Sequence, residues 1–224
     1  MYKHVYNLIL HYLMAKLYFY YSAMNAGKST LLLQSAYNYR ERNLDVIILV
    51  PTINTRDRYG TISSRIGLSS PATMISQNEN IFNLIKSIKK SDNKLACILV
   101  DEAQFLNKTQ VYQLANIVDE LKLPVLCYGL RSDFKAEPFE GSKYLLALAD
   151  HLIELKTICH CGKKAIMNMR VDEHGFAIKE GEQIQIGGNE SYIATCRYHF
   201  SNNDSGKSKS HQQSIFDDVS NKNS

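Results

Sequence analysis

Apolar and polar positions along the chain fall into blocks that predict strands and helices in turn. Short apolar runs are typical of buried strands, and they occur at residues 16–21, 45–50, 95–100, 124–128 and 151–155. Apolar residues repeat at helical spacing between these runs, which predicts helices at residues 28–42, 80–90, 109–121 and 142–149. This alternation predicts an α/β fold with a parallel sheet covered on both faces.

Other segments break the pattern and suggest a division of the chain. Residues 52–72 are polar and rich in Ser and Thr, so we expect a long flexible loop there. After about residue 157 the segments become short, and Cys, His and Gly concentrate. The predicted division is an N-terminal extension at 1–13, a nucleotide-binding domain at 14–157, a small second domain at 158–200 and a disordered polar tail at 201–224.

The first residues do not read as a targeting segment. Their apolar run is broken by His11 and Lys16, and no small-residue cleavage site follows. No run approaches the roughly 20 apolar residues that a membrane span needs. Because Ala15 leads directly into the first predicted strand, we interpret Met14 as the native start and expect residues 1–13 to be absent from the native product.

Composition narrows the class of protein. The chain has 224 residues and a net charge of +4, with 45% hydrophobic and 21% charged residues, which is typical of a globular protein. So small a positive surplus does not favour a nucleic-acid partner. The five cysteines are odd in number and two of them are clustered, which argues against a disulfide framework and favours a reducing compartment.

A candidate phosphate-binding loop joins the first strand to the first helix. It reads Ser22, Ala23, Met24, Asn25, Ala26, Gly27, Lys28, Ser29, with Ser22 in place of the first glycine of G-x-x-x-x-G-K-[ST]. Backbone N–H groups of such a loop surround phosphate oxygens, and the helix N-terminus adds partial positive charge. Lys28 would reach the terminal phosphates, and the Ser29 hydroxyl would ligate Mg²⁺. The alternative is a glycine-containing turn that caps a helix.

Two acidic residues, Asp101 and Glu102, follow the strand at 95–100. The carboxyl ends of parallel strands border the crevice where α/β proteins bind ligands. Asp101 suits the position that holds magnesium, usually through water. Glu102 points elsewhere and could deprotonate a hydroxyl or a water molecule. The alternative is a solvated acidic helix cap.

Cysteine and histidine side chains form two half-sites of a candidate zinc site. Cys159 and Cys161 make the first, and Cys196 and His199 make the second. In an extended segment, residues two apart face the same side, so we exclude His160, which lies between the two cysteines. Three thiolates and one imidazole would complete a tetrahedral structural site. Unpaired buried thiols are the alternative.

The chain from about residue 14 to residue 200 resembles the thymidine kinase family of the cytosolic, zinc-containing type. The resemblance rests on the segments YFYYSAMNAGKST, SSRIGLSSP, LVDEAQF, PVLCYGLRSDF, LKTICHCGKKA and IGGNESY. A serine in the first loop position resembles the bacterial branch. The resemblance implies a RecA-like P-loop NTPase fold with a small zinc-binding domain that carries a lasso loop.

The resemblance also implies an activity and its residues. The γ-phosphate of ATP would pass to the 5′-hydroxyl of thymidine or deoxyuridine, with Glu102 as the general base. ATP and Mg²⁺ would bind at the phosphate loop and at Asp101, Glu102, Ala103 and Gln104. The implied substrate-binding residues are Met24, Arg58, Phe105, Phe134, Gly187, Gly188 and Tyr192. The zinc ligands of the family map to Cys159, Cys161, Cys196 and His199.

Further expectations follow from the family. They are feedback inhibition by dTTP, a homotetramer, a cytoplasmic location, and neither a nucleic-acid nor a membrane partner. Two rival functions have sequence support. The first rival is a nucleic-acid motor or remodelling ATPase, because Asp101 to Gln104 resembles a helicase DEAx box, although no second ATPase-like domain and no basic stripe accompanies it. The second rival is a zinc-ribbon binding module with a degenerate ATPase body, which would have no affinity for nucleotide.

Overall fold

The computed structural model describes residues 15–52, 60–183 and 192–207. The chain forms two compact units. The first comprises residues 15–21, Gly27–Gly129 and Glu140–Glu154, and the second comprises Ser22–Ala26, Leu130–Phe139 and the described residues from Leu155 onward.

The first unit is built around a six-stranded sheet. Its strands are β1 Leu17–Ser22, β2 Asp45–Pro51, β5 Thr73–Ile75, β6 Leu95–Val100, β7 Val125–Leu130 and β8 His151–Glu154. They lie in the order β5-β2-β6-β7-β1-β8. The β5–β2, β2–β6, β6–β7 and β1–β8 pairs are parallel, which confirms the predicted α/β class.

Helices connect these strands close to their predicted positions. They are α1 Lys28–Arg40, α2 Ile81–Ser91, α3 Lys108–Leu121 and α4 Glu140–Leu148, with a 3₁₀ helix at Ala103–Phe105. Side-chain caps fix two of the starts. Asn80 accepts a hydrogen bond from the Asn83 amide, and Asn107 and Gln110 form a capping box.

Two hydrophobic clusters lie on opposite faces of the sheet. Alternate residues of β6 divide between them, since Ile98 and Val100 belong to one cluster and Cys97 and Leu99 to the other. The first cluster includes side chains of α2, α3 and α4, and the second includes side chains of α1. The sheet is therefore covered on both faces, as the apolar strands predict.

Residues 52–72 were expected to form a long flexible loop, and the part of that range that the structure describes after residue 59 instead contains two strands. Strands β3 Thr61–Ser63 and β4 Ser69–Pro71 form an antiparallel hairpin, and β5 follows it immediately. The hairpin strands have only three residues each, and each buries only its middle residue, Ile62 or Ser70. Strands with one buried residue each show no alternation of apolar and polar residues, which is the pattern that predicts a strand from sequence.

The second unit is small and mostly antiparallel. Strands β9 Thr157–Ile158 and β10 Lys164–Ala165 form a hairpin. Strands β12 Ala177–Ile178, β11 Met167–Val171 and β13 Tyr192–Thr195 form a three-stranded sheet with β11 in the middle. A short helix, α5 Arg197–Ser201, follows β13.

Candidate nucleotide and metal sites

Helix α1 begins at a glycine in the left-handed region. Gly27 has φ of 78° and ψ of 22°, and its carbonyl accepts the first helical hydrogen bond, from the Leu31 amide. A side chain would be strained at this φ, which explains a glycine directly before Lys28. The chain therefore turns into α1 so that Lys28 and Ser29 form its first turn.

Lys28 lies among charged groups of the first unit. Its side chain is partly buried, and this burial lowers the pKa of its ammonium group. The negative charges of Glu102 and Asp101 act in the opposite direction, and the positive charge of Arg65 adds to the lowering. An ammonium group held beside two carboxylates suits the binding of a polyphosphate that carries a divalent cation.

Asp101 is buried, with 4% of its surface exposed, and its two carboxylate oxygens differ in their hydrogen bonding. Oδ2 accepts a hydrogen bond of 2.9 Å from the Ser29 hydroxyl. Oδ1 is also buried and has no hydrogen-bond partner among the described residues. Burial, and then the negative charge of Glu102, raises the pKa of Asp101 to about 7. A hydroxyl beside an unpartnered carboxylate oxygen is a donor set that fits Mg²⁺.

Glu102 adopts an uncommon backbone conformation directly after β6. Its φ of 48° and ψ of 37° place a residue with a side chain in the left-handed region. Glu102 is the N-terminal cap residue of the 3₁₀ helix, yet its side chain makes no capping hydrogen bond. The helix-cap alternative therefore lacks the contact that would define it, and the carboxylate instead bonds to Gln104.

Gln104 holds the Glu102 carboxylate. Its side-chain Nε2 donates a hydrogen bond of 2.5 Å to Oε2 of Glu102, and Gln104 itself is buried with 1% exposure. Gly129 on β7 leaves space for the Gln104 side chain, because a Cβ atom at position 129 would lie 2.9 Å from the Gln104 Oε1. Ala103 is fully buried and Phe105 partly buried in the same 3₁₀ helix.

The first half of the phosphate loop belongs to the second unit. Ser22 and Ala23 are each 4% exposed. The Met24 backbone N–H donates a hydrogen bond of 2.8 Å to the side chain of Asn168 on β11. Asn25 has a left-handed φ of 62°, which asparagine tolerates better than most residues.

Two residues predicted to bind substrate also lie in the second unit. Phe134 is buried beneath the Arg170 guanidinium, 5.1 Å from the ring centroid, and borders a cavity of about 320 Å³ with Met169, Ile178 and Phe200. Tyr192 begins β13 opposite Arg170, and partial burial raises its pKa. Arg58, Gly187 and Gly188 lie outside the described residues, as do residues 1–13.

The second unit also brings the predicted zinc ligands together. Nδ1 of His199 lies 3.3 Å from the Cys159 sulfur and 3.4 Å from the Cys196 sulfur, and the Cys161 and Cys196 sulfurs are 3.9 Å apart. Tetrahedral zinc with Zn–S bonds of about 2.3 Å would separate its sulfur ligands by about 3.8 Å. The donor set therefore fits zinc in both chemistry and spacing.

The reason for excluding His160 as a ligand needs a correction. Residues 159–162 form a tight turn rather than an extended segment, since the Gly162 amide bonds to the Cys159 carbonyl and Gly162 has φ of 79°. His160 still lies outside the four-residue cluster, as predicted, and its ring stacks on His199 with centroids 4.2 Å apart.

The pKa values of the Cys159 and Cys196 thiols are shifted in opposite directions. The His199 backbone N–H, foremost, lowers the pKa of the Cys196 thiol, whereas burial raises the pKa of the Cys159 thiol. Nε2 of His199 faces the Asp204 carboxylate at 3.9 Å. A carboxylate behind a ligating imidazole is a common means of orienting the ring.

Sequence reasoning missed two features of these sites. Asn168 was not singled out, because a lone asparagine in an apolar strand carries no motif. Gln104 was expected only to bind nucleotide, and its hydrogen bond to Glu102 accompanies a left-handed turn at that residue. The positive φ at Glu102 has no sequence signal, since glutamate rarely adopts it.

Comparison with known proteins decides the family. The family model described as thymidine kinase matches residues 15–200. The chain belongs to the thymidine kinase family. A thymidine kinase from Legionella pneumophila (strain Paris) is 60% identical over 194 residues, which covers 87% of this chain and 93% of the relative. Those from Mannheimia succiniciproducens and Coxiella burnetii are 61% and 58% identical over 187 residues, 84% of this chain and 95% of each relative.

The resemblance inferred from the motifs is therefore confirmed at the level of the family. The matched region contains the phosphate loop, the Asp101–Glu102 pair and all four cysteine and histidine residues of the candidate zinc site. Among the described helices, none combines the length and the apolar character that crossing a membrane requires.

Proposed function

We propose that this chain transfers the γ-phosphate of ATP to the 5′-hydroxyl of thymidine, or of deoxyuridine, and releases ADP and the 5′-monophosphate. The observation that carries the proposal is the grouping of Lys28, Ser29, Asp101 and Glu102 in the first unit of a thymidine kinase family member. Phosphoryl transfer depends mainly on positioning and on charge stabilisation, and these are the groups that supply both.

Each residue of this group has a distinct role. The Lys28 ammonium binds the terminal phosphates, where it offsets charge that moves onto the β-phosphate as the bond to the γ-phosphorus breaks. The Ser29 hydroxyl and the Asp101 carboxylate would hold Mg²⁺, which supplies further positive charge to the β- and γ-phosphates when bound. Oδ1 of Asp101, which has no hydrogen-bond partner within the described part of the chain, supports this assignment.

Glu102 acts as the general base. As the 5′-oxygen forms its bond to the γ-phosphorus, the hydroxyl proton moves to the Glu102 carboxylate. Gln104 restrains that carboxylate through its 2.5 Å hydrogen bond, so that the base is oriented before substrate binds. The nucleotide would also contact residues Ser22 to Gly27, Ala103 and Gln104.

The nucleoside-binding residues and the zinc site complete the proposal. Met24, Arg58, Phe105, Phe134, Gly187, Gly188 and Tyr192 would bind the nucleoside, as the family resemblance implies. A structural Zn²⁺ would bind Cys159, Cys161, Cys196 and His199 and stabilise the second unit. Four protein ligands leave no coordination position for a reactant, so the role of this metal would be structural. Inhibition by dTTP, a homotetramer and a cytoplasmic location are proposed on the same resemblance.

The decisive experiment is phosphate transfer from ATP to a panel of nucleosides, with products separated by chromatography. We expect dTMP from thymidine and dUMP from deoxyuridine, with little product from purine nucleosides. A parallel assay measures ATP hydrolysis with and without single-stranded DNA. Stimulation by DNA in the absence of transfer to thymidine would replace the proposal with the motor function, and failure to bind ATP would favour the zinc-ribbon binding module.

A further inference from the structure

Asn168 is a buried amide in the middle strand of the second unit's three-stranded sheet. It lies on β11 opposite Ala194 of β13, between Met167 and Met169, and 2% of its surface is exposed. A buried amide is costly unless its hydrogen bonds are satisfied. Both ends of this amide are satisfied, and both partners are main-chain groups of loops rather than neighbouring strand residues.

The two hydrogen bonds reach segments that are distant in sequence. The Asn168 Oδ1 accepts from the Met24 N–H at 2.8 Å, across 144 residues, and Nδ2 donates to the Ser132 carbonyl at 2.7 Å, across 36 residues. A backbone N–H can only donate and a carbonyl can only accept, so the partners fix which end of the amide is which. No hydrogen is needed to assign the orientation.

The two tethered loops carry residues that are expected to bind the nucleoside. Met24 belongs to the phosphate loop, and Ser132 lies two residues before Phe134. The Ser132 loop is already ordered internally, since Asp133 Oδ1 accepts from the amides of Lys135 and Glu137. Internal hydrogen bonds therefore fix the shape of this loop, and contacts with other segments fix its position. The hydrogen bond from Asn168 to the Ser132 carbonyl is one of these contacts.

We propose that Asn168 is a positioning residue for nucleoside binding, which fixes the main chain at Met24 and at Ser132 through the two ends of one side-chain amide. It acts through these loops and does not itself need to touch the nucleoside. The expected effect of Asn168 on nucleoside binding rests on the proposed function. The two hydrogen bonds that tether the loops can be tested by hydrogen exchange, which requires no enzyme activity.

Two substitutions separate the two tethers. Asn168→Leu has a similar volume and removes both hydrogen bonds. Asn168→Asp keeps an acceptor for the Met24 N–H but loses the donor to the Ser132 carbonyl and places a carboxylate oxygen there. Thr195→Val on β13 is the matched control, because Thr195 is fully buried in the same sheet and its hydroxyl has no hydrogen-bond partner among the described residues.

The experiment combines hydrogen exchange with steady-state kinetics on the full chain. In Asn168→Leu we expect faster exchange at the Met24 amide and a KM for thymidine raised by roughly tenfold or more. In Asn168→Asp we expect Met24 to keep its protection while peptides from residues 130–139 exchange faster, and the KM for thymidine to rise more than the KM for ATP. Thr195→Val should match the unaltered chain in both measurements.

Several results would overturn the inference. One is unchanged exchange at Met24 in Asn168→Leu, and another is an equal rise of the KM values for thymidine and ATP in Asn168→Asp. If Asn168→Leu does not fold, Asn168→Asp provides the test. Unchanged exchange at residues 130–139 in that variant would contradict the claim that Asn168 positions the Ser132 loop. Absence of thymidine phosphorylation by the unaltered chain would instead count against the proposed function, while the exchange results would still report on Asn168.

Discussion

The side-chain amide of Gln104 donates a 2.5 Å hydrogen bond to the carboxylate of Glu102, two residues before it. Glu102 turns the chain through the left-handed region directly after β6, and Gln104 follows in the 3₁₀ helix. Gly129 on β7 leaves space for this arrangement. An acidic side chain held in this way is restrained before any substrate arrives, as a general base should be.

Removal of the Gln104 donor should slow turnover. We expect Gln104→Leu to lower kcat by roughly tenfold, because hydrogen bonds to charged groups contribute about 1.5–3 kcal/mol and the Glu102 carboxylate would lose its orientation. Gln34→Leu is the control, since Gln34 is exposed on α1 and its side-chain amide donates a hydrogen bond to Asn38. Steady-state assays at saturating ATP and thymidine measure both, and equal kcat values would remove Gln104 from the positioning role.

Lys28 should be required for nucleotide use. We expect Lys28→Ala to lower kcat/KM for ATP by about 10²- to 10³-fold, since it removes the charge that we propose binds the terminal phosphates. Lys86→Ala on the exposed surface of α2 is the comparison, and it should behave as the unaltered chain. Calorimetric titration with Mg·ATP checks binding independently, and retention of full affinity in Lys28→Ala would contradict the phosphate-loop assignment.

Stability of the ligand-free protein should depend on Asp101 in a defined pH window. Burial raises its folded-state pKa to about 7 from the ordinary value of 3.8, so the folded protein keeps a proton that the unfolded chain releases. Folding therefore becomes less favourable as pH rises from about 4 to about 7. We expect Asp101→Asn to reduce this dependence in urea unfolding at pH 5 and pH 8.

The matched control for this pH effect is Asp119→Asn. Asp119 is exposed on α3, so its substitution should leave the pH dependence of unfolding unchanged. If Asp101→Asn and the unaltered chain lose the same stability between the two pH values, the Asp101 carboxyl is not protonated in the folded protein near neutral pH.

Zinc content tests the metal site. We expect about one zinc per chain by elemental analysis, because three thiolates and one imidazole complete a tetrahedral set. Cys161→Ser should lower both the zinc content and the Tm, whereas Cys127→Ala should keep the zinc, since Cys127 is buried in the first unit. Well-folded protein without zinc, or equal zinc in both variants, would refute the site.

Patterns that depend on local periodicity predicted the fold well. The strand at Leu95–Val100 is found where its apolar run predicts it, and the other four predicted strands and four helices shift by only a few residues. The hairpin of β3 and β4 escaped prediction because each three-residue strand buries a single side chain. The sixth strand, β5, is equally short and continues directly from that hairpin.

The candidate sites were predictable where a motif fixes the residue types. The phosphate loop, the acidic pair after β6 and the cysteine–histidine set all have spacings that chemistry constrains. Contacts between distant segments were not predictable. The hydrogen bonds of Asn168 to Met24 and Ser132, and the inclusion of residues 22–26 in the second unit, depend on packing that no local pattern records.

Turnover by Glu102→Gln tests the proposed mechanism most directly. This near-isosteric change removes the proton acceptor and keeps the shape, so we expect kcat for thymidine phosphorylation to fall by about 10²- to 10⁴-fold. Affinity for Mg·ATP should stay within a few-fold, and Glu79→Gln, at an exposed position, should turn over normally. Near-normal kcat in Glu102→Gln would contradict the assignment of Glu102 as the base that activates the 5′-hydroxyl.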